Sequence, residues 1–163
     1  MPLENKGLEI GQTAPNWELL GLAGEKVSLS QFRGRPLLLL FFRGTWCPSC
    51  RKQMEHFRDQ WSRIEPLAQV VGIVGQDAQP VRDFLSRNPL PYPLLPDPDR
   101  QVIQLHNVYQ RFSLTGFKIA HPTTLIIDGS GIVRYCYVGD SQFDRPDLEA
   151  VIRELESLSQ VRA

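Results

Sequence analysis

The sequence predicts an α/β fold: a mixed central sheet with helices on both faces and an N-terminal β-hairpin extension. Three observations predict it. Residues 36–42 are a uniformly apolar run of strand length, the pattern of a strand buried on both faces. A second run, 70–74, follows after a helical pattern, which gives a β-α-β order with parallel strands. Residues 123–127 and 132–138 are then joined by Asp128-Gly-Ser-Gly, a hairpin signal that turns one edge of the sheet antiparallel.

Taken in order, residues 14–29 read as two short strands. Trp17, Leu19 and Leu20 lie in the first and Val27 in the second, around a glycine turn at 21–24. Residues 30–34 suit one helical turn closed by Gly34. Met54, Phe57, Trp61 and Ile64 recur at helical spacing and predict a helix of about 18 residues opening at Cys47. Val81, Phe84 and Leu85 predict another over 79–88, which Pro89 stops. Leu94 and Leu95 form a short extended piece within a proline cluster. A helix over 99–106 turns Val102, Ile103 and Leu105 inward. Asp144 is placed to cap the last helix, with Pro146 in its first turn and Leu148, Val151, Ile152, Leu155 and Leu158 on one face.

The 163 residues are expected to form a single domain over 1–163, with its core at about 10–158. The 18 basic and 18 acidic residues cancel, leaving no electrostatic footprint for nucleic acid or an anionic membrane. No apolar run approaches the roughly 20 residues of a membrane span. Residues 1–9 hold no apolar signal core, so a cytoplasmic location is expected. Three cysteines argue against a structural disulfide framework and for redox or metal chemistry.

That chemistry centres on Trp46-Cys47-Pro48-Ser49-Cys50. Cys47 sits where a helix begins, and unpaired N–H groups and the helix dipole favour an anion there, so its thiol is expected to be acidic and to attack. Cys50, three residues on, is a helical neighbour that continues the buried face of Met54, Phe57 and Trp61, which makes it the resolving partner. Pro48 suits the first helical turn. Trp46 is expected to cover one side of the disulfide and to offer a flat apolar surface to partners. His121-Pro122-Thr123-Thr124 precedes a strand; a cis bond before Pro122 is expected, with the extended segment pairing its backbone with an incoming peptide. Cys136 reads as a semi-buried core residue, with a second resolving role as the alternative.

These residues resemble the thioredoxin superfamily, in which a redox disulfide faces a cis-proline loop. More narrowly, Gly11-Gln-Thr-Ala-Pro-Asn-Trp, Phe42-Arg-Gly-Thr-Trp-Cys-Pro-Ser-Cys and Leu95-Pro-Asp-Pro-Asp-Arg are similar to the alkyl hydroperoxide reductase/thiol-specific antioxidant, or peroxiredoxin-like, branch. The resemblance implies a thioredoxin-like fold. Two departures stand out. Typical peroxiredoxins place Pro seven and Thr three residues before the peroxidatic cysteine, where Leu40 and Gly44 precede Cys47 here. Typical thioredoxins bury an Asp six residues before the first cysteine, where this chain has Phe41. Arg43 and Thr45 are left as local hydrogen-bond donors, and Glu55, His56 and His121 as candidates for moving the proton of the resolving thiol.

The expected function is thiol–disulfide exchange: Cys47 attacks a protein disulfide and Cys50 resolves the mixed disulfide. The alternative is a thiol peroxidase in which Cys47 becomes a sulfenic acid and condenses with Cys50. A third reading is a non-catalytic metal-binding or redox-sensing module built on Cys47, Cys50 and His121. The catalytic readings imply a cellular dithiol donor, from a thioredoxin or glutathione system, and no metal or organic cofactor.

Overall fold

The computed structural model describes residues 6–113 and 116–161, so the extreme ends of the expected 1–163 domain lie outside the described residues. A hairpin of β1 (Glu18–Leu20) and β2 (Lys26–Ser28) leads through a 3-10 turn, Leu29–Phe32, into β3 (Leu37–Phe42). Then come α1 (Pro48–Asp59), α2 (Trp61–Ile64), β4 (Gln69–Val74), α3 (Ala78–Arg87), β5 (Leu94–Pro96) and α4 (Gln101–Leu105). A second hairpin, β6 (Tyr109–Ser113) and β7 (Gly116–Ala120), precedes β8 (Thr123–Ile127), β9 (Val133–Val138) and α5 (Leu148–Val161).

The main sheet has the order β5-β4-β3-β8-β9. β3 pairs parallel with β4 and antiparallel with β8, so it is the strand at which direction changes. All six of its residues are buried, because layers cover the sheet on both sides. Leu38, Leu40 and Phe42 face α1, α2, α3 and α5, whose Met54, Phe57, Ile64, Phe84, Val151 and Leu155 fill that layer. Leu37, Leu39 and Phe41 face the other layer, formed by α4 and by Ala14 and Trp17 of the N-terminal segment. This is the mixed sheet that the apolar runs and the hairpin signal predict, and the thioredoxin-like fold that the resemblance implies.

Several elements differ from expectation. The helix opening at Cys47 is broken at Gln60, where φ −101° and ψ 17° leave helical values; the break lays Trp61 against Tyr92 (ring centroids 5.9 Å apart) and buries Ile64. Leu105 does not turn inward but is exposed, since α4 is only a little over one turn long and Val102 and Ile103 take its buried face. Asp144 does not cap α5. Its carboxylate accepts from Tyr137 Oη (2.5 Å) and from Asp140 N (2.9 Å), and the helix starts at Leu148. The β6–β7 hairpin has no counterpart among the expected elements. Its alternation is interrupted at Lys118, which takes a left-handed φ of 52°, and its Phe112 and Phe117 are exposed rather than packed.

The peptide bond before Pro122 is trans, since no described residue has a cis bond. The surroundings of the segment hold it extended. His121 N donates to Val108 O (2.7 Å), and Pro122 O accepts from Gly139 N (2.7 Å), so the extended backbone is already paired on both sides.

Candidate active site

Phe41 pairs with Thr123 and Phe42 with Val74, so the carboxyl ends of β3 and β4 meet the start of β8. That is where a strand order that changes direction leaves room for a site. The chain leaves β3 through Arg43 and Gly44. A Cβ on Gly44 would stand 2.2 Å from the Trp46 indole nitrogen, so only glycine lets the ring fold back there. Thr45 pins the turn: its N–H donates to Gln76 Oε1 (2.7 Å), its hydroxyl accepts from Gln76 Nε2 (3.0 Å), and its carbonyl accepts from Arg51 Nε (2.5 Å).

Cys47 then occupies the N-cap of α1, with Pro48 as the first helical residue. The cap geometry is the one the sequence implies, since Pro removes an N–H that would have no intrahelical acceptor. Both thiols are free and both cysteines are fully buried. Around Cys47 Sγ lie the Ser49 hydroxyl at 3.3 Å, the Arg43 guanidinium at 3.6 Å and Gln142 Oε1 at 3.9 Å. Arg43 also donates to Gln142 Oε1 (3.1 Å) and stacks over Trp46, with its guanidinium carbon 5.4 Å from the ring centroid. A guanidinium nitrogen of Arg145 reaches Cys50 Sγ at 3.2 Å and Ser49 Oγ at 3.4 Å.

This arrangement divides the two thiols. The Cys50 thiol donates to Cys47, and Ser49, the Cys50 backbone N–H and Arg43 add to it; together they outweigh burial and hold Cys47 far below the ordinary thiol range. The same bond raises Cys50, as does its own burial, while Arg145 acts the other way. The surroundings thus lower the Cys47 pKa and raise that of Cys50, which favours the charge on Cys47.

The other expected site residues fare differently. Trp46 and Pro48 are exposed above the buried pair. His121, Pro122 and Thr123 are all buried. The His121 ring is held neutral first by burial and then by the positive charges of Lys6 and Arg43. The described residues contain no group of three or more His, Cys, Asp or Glu side chains placed to hold a metal, so Cys47, Cys50 and His121 do not form one. Cys136 packs against the opposite layer, beside Leu8, away from the pair. The charged neighbour of Cys50 is Arg145, not Glu55, His56 or His121. Gln142 and Arg145 escape sequence reasoning because about 95 residues and a loop separate them from the cysteines. Arg43, four residues before Cys47, is the part of the shell that local spacing reveals.

Beside the pair opens a cavity of about 310 Å³. Ser49 and Arg145, which touch the sulfurs, are in its wall, and Phe57, Phe143 and Leu148 give it apolar surface.

Comparison with known proteins places these features. Residues 10–136 match the AhpC/TSA family. "Peroxiredoxin Q, chloroplastic" of Oryza sativa subsp. japonica is 32% identical over 149 residues, covering 91% of this chain and 67% of that protein. "Thiol-disulfide oxidoreductase ResA" of Geobacillus kaustophilus is 30% identical, covering 95% of this chain and 81% of that protein. Among solved structures, the peroxidoxin BcpB of Mycobacterium tuberculosis superposes with a TM-score of 0.79 at 25% identity, covering 96% of this chain and 99% of that one. The match runs through the N-terminal hairpin, the Cys-Pro-Ser-Cys helix and the central sheet, and on that ground the chain belongs to the AhpC/TSA family and is an oxidoreductase.

Proposed function

We propose that this protein is a thiol peroxidase that reduces a hydroperoxide at Cys47. The observation that carries the reading is the Cys47 sulfur itself: fully buried at the N-cap of α1, with the Arg43 guanidinium 3.6 Å away and surroundings that lower its pKa. A buried thiolate is poorly placed to meet a disulfide on another protein, because the attack needs the sulfur to approach along the S–S axis of a bulky partner. A hydroperoxide needs only a small opening. The peroxiredoxin relatives support the same order of preference, which reverses that of the two catalytic readings of the sequence.

The reaction balances with the residues present. The Cys47 thiolate attacks the hydroxyl oxygen of the hydroperoxide; the O–O bond breaks, Cys47 becomes a sulfenic acid, and the alkoxide leaves and takes a proton. The Arg43 guanidinium faces the charge that moves from sulfur to oxygen. Cys50 then condenses with the sulfenic acid, forming the Cys47–Cys50 disulfide and releasing water. A cellular dithiol, of the thioredoxin or glutathione kind, restores both thiols.

Disulfide exchange is the second reading, favoured by the Cys-x-x-Cys spacing and by the ResA relative. The two separate in one pair of assays. Reduced protein is mixed with hydroperoxide while loss of thiols is followed, and in parallel it is offered insulin with a dithiol donor. Rapid thiol loss with little insulin reduction is expected; insulin reduction, with thiol loss no faster than that of free cysteine, reverses the assignment.

A further inference from the structure

We infer that Arg145 is the charge partner of the resolving cysteine: it holds Cys50 as a thiolate once Cys47 is oxidised, and so sets how fast the disulfide closes. The inference deepens the peroxidase reading and rests on it for the oxidised state of Cys47. Its basis is a contact that the reduced enzyme does not use. Arg145 lies 3.2 Å from Cys50 Sγ, yet in the reduced pair the negative charge sits on Cys47 and Cys50 keeps its proton.

Arg145 is firmly aimed. Its Nε donates to the Gln142 carbonyl (3.1 Å), one terminal nitrogen donates to Gln53 Oε1, and the other reaches Ser49 and Cys50. Apart from the sulfur, these partners are neutral, so no hydrogen-bonded carboxylate among the described residues cancels its charge. The loop that delivers it is tightly built: a Cβ on Gly139 would fall 2.1 Å from Asp144 O, and Asp144 is tied to Tyr137 and Asp140 N. This loop lies beyond residues 10–136, so the family match does not extend to Arg145. Cys47 at the N-cap of α1 and Arg43 after β3 flank Cys50 on one side, and Lys52 and His56 of α1 and Asp147 before α5 line the cavity beside the pair.

Oxidation changes who holds the proton. A sulfenic acid is neutral and no longer draws the Cys50 proton toward Cys47, which removes the largest influence keeping Cys50 protonated. Beside the guanidinium, Cys50 loses that proton. Its thiolate attacks Cys47 Sγ; the S–S bond forms, the S–O bond breaks, and the departing hydroxide takes the released proton to leave as water.

The test compares wild type with Arg145→Gln and Arg145→Lys in rapid mixing with hydroperoxide. Formation of the sulfenic acid, trapped with dimedone, is separated from the later, peroxide-independent closure of the disulfide. Arg145→Gln is expected to slow closure about tenfold or more, a larger loss than it brings to sulfenic acid formation, and to move the pH profile of closure upward; Arg145→Lys is expected to restore part of the rate. A second arm needs no peroxide: in a Cys47→Ser background, the pH dependence of Cys50 alkylation, read by mass spectrometry, is expected to shift up by about 1 pH unit in Arg145→Gln. Unchanged closure and an unchanged Cys50 midpoint overturn the inference. Absence of any peroxide-dependent step in wild type overturns the peroxidase reading instead, and the alkylation arm still decides the role of Arg145.

Discussion

A thiol reacts as its anion, so the reactivity of Cys47 depends on what its neighbours do to the charge on one sulfur. Three of them are hydrogen-bond donors, and Arg43 alone among them carries a full positive charge. Replacing it with Gln removes the group that faces the charge transferred to peroxide oxygen. Arg43→Gln is therefore expected to slow Cys47 oxidation about 10²-fold, read as the second-order rate constant with hydroperoxide. Gln142→Ala leaves the guanidinium in place but takes away the acceptor that aims it, so a loss in the same direction and of smaller size is expected in the same assay. At this scale the cysteines and Arg43 were legible because they lie within eight residues of each other at the junction of a strand and a helix. Gln142 and Arg145 were not. A loop residue far along the chain carries no periodic signal that assigns it to a site.

The elements repeat that contrast between local and distant information. β3 reads directly from sequence because a strand covered on both faces has no polar position to blur it, and α1 reads from Met54 and Phe57. Leu40, fully buried between α1 and the sheet, is expected to cost about 2–5 kcal/mol when cut to Ala, measured by urea unfolding. The β6–β7 hairpin and the trans bond before Pro122 depend on tertiary pairing, with each other and with Val108 and Gly139, so local pattern did not show them. The loop after β9 makes the clearest prediction among the elements. Because a Cβ on Gly139 would meet backbone at Asp144 and Pro122 Cγ at 3.0 Å, Gly139→Ala must shift this loop and with it Gln142 and Arg145. Peroxide turnover is expected to fall while the unfolding midpoint moves far less than in Leu40→Ala.

At the scale of the whole molecule, acid sensitivity has an identifiable source. His106 is fully buried against Phe41, 4.9 Å between ring centroids; Nδ1 faces the Val102 carbonyl at 2.8 Å and Nε2 has no partner among the described residues. Burial lowers its pKa from 6.5 to about 4, and the Val102 carbonyl offsets only part of that. Above pH 6.5 neither folded nor unfolded chain protonates it. As pH falls from 6.5 toward 4 the unfolded chain takes up a proton that the folded one refuses, so stability declines across that window, by about 3 kcal/mol at most, and levels off below it. His106→Phe is expected to flatten this part of the stability profile, measured as urea midpoints between pH 7 and 4.

The fold brings one sheet end, one helix start and one distant loop to a single buried sulfur, and the account stands on that sulfur being an activated thiolate that reduces hydroperoxide. The most direct measurement is the second-order rate constant for Cys47 oxidation by hydroperoxide from pH 5 to 9. A rate well above that of free cysteine and nearly level across the range is expected, since the Cys47 pKa is lowered to about 4. A rate that matches free cysteine and climbs through about pH 8.5, where an ordinary thiol ionises, would contradict it.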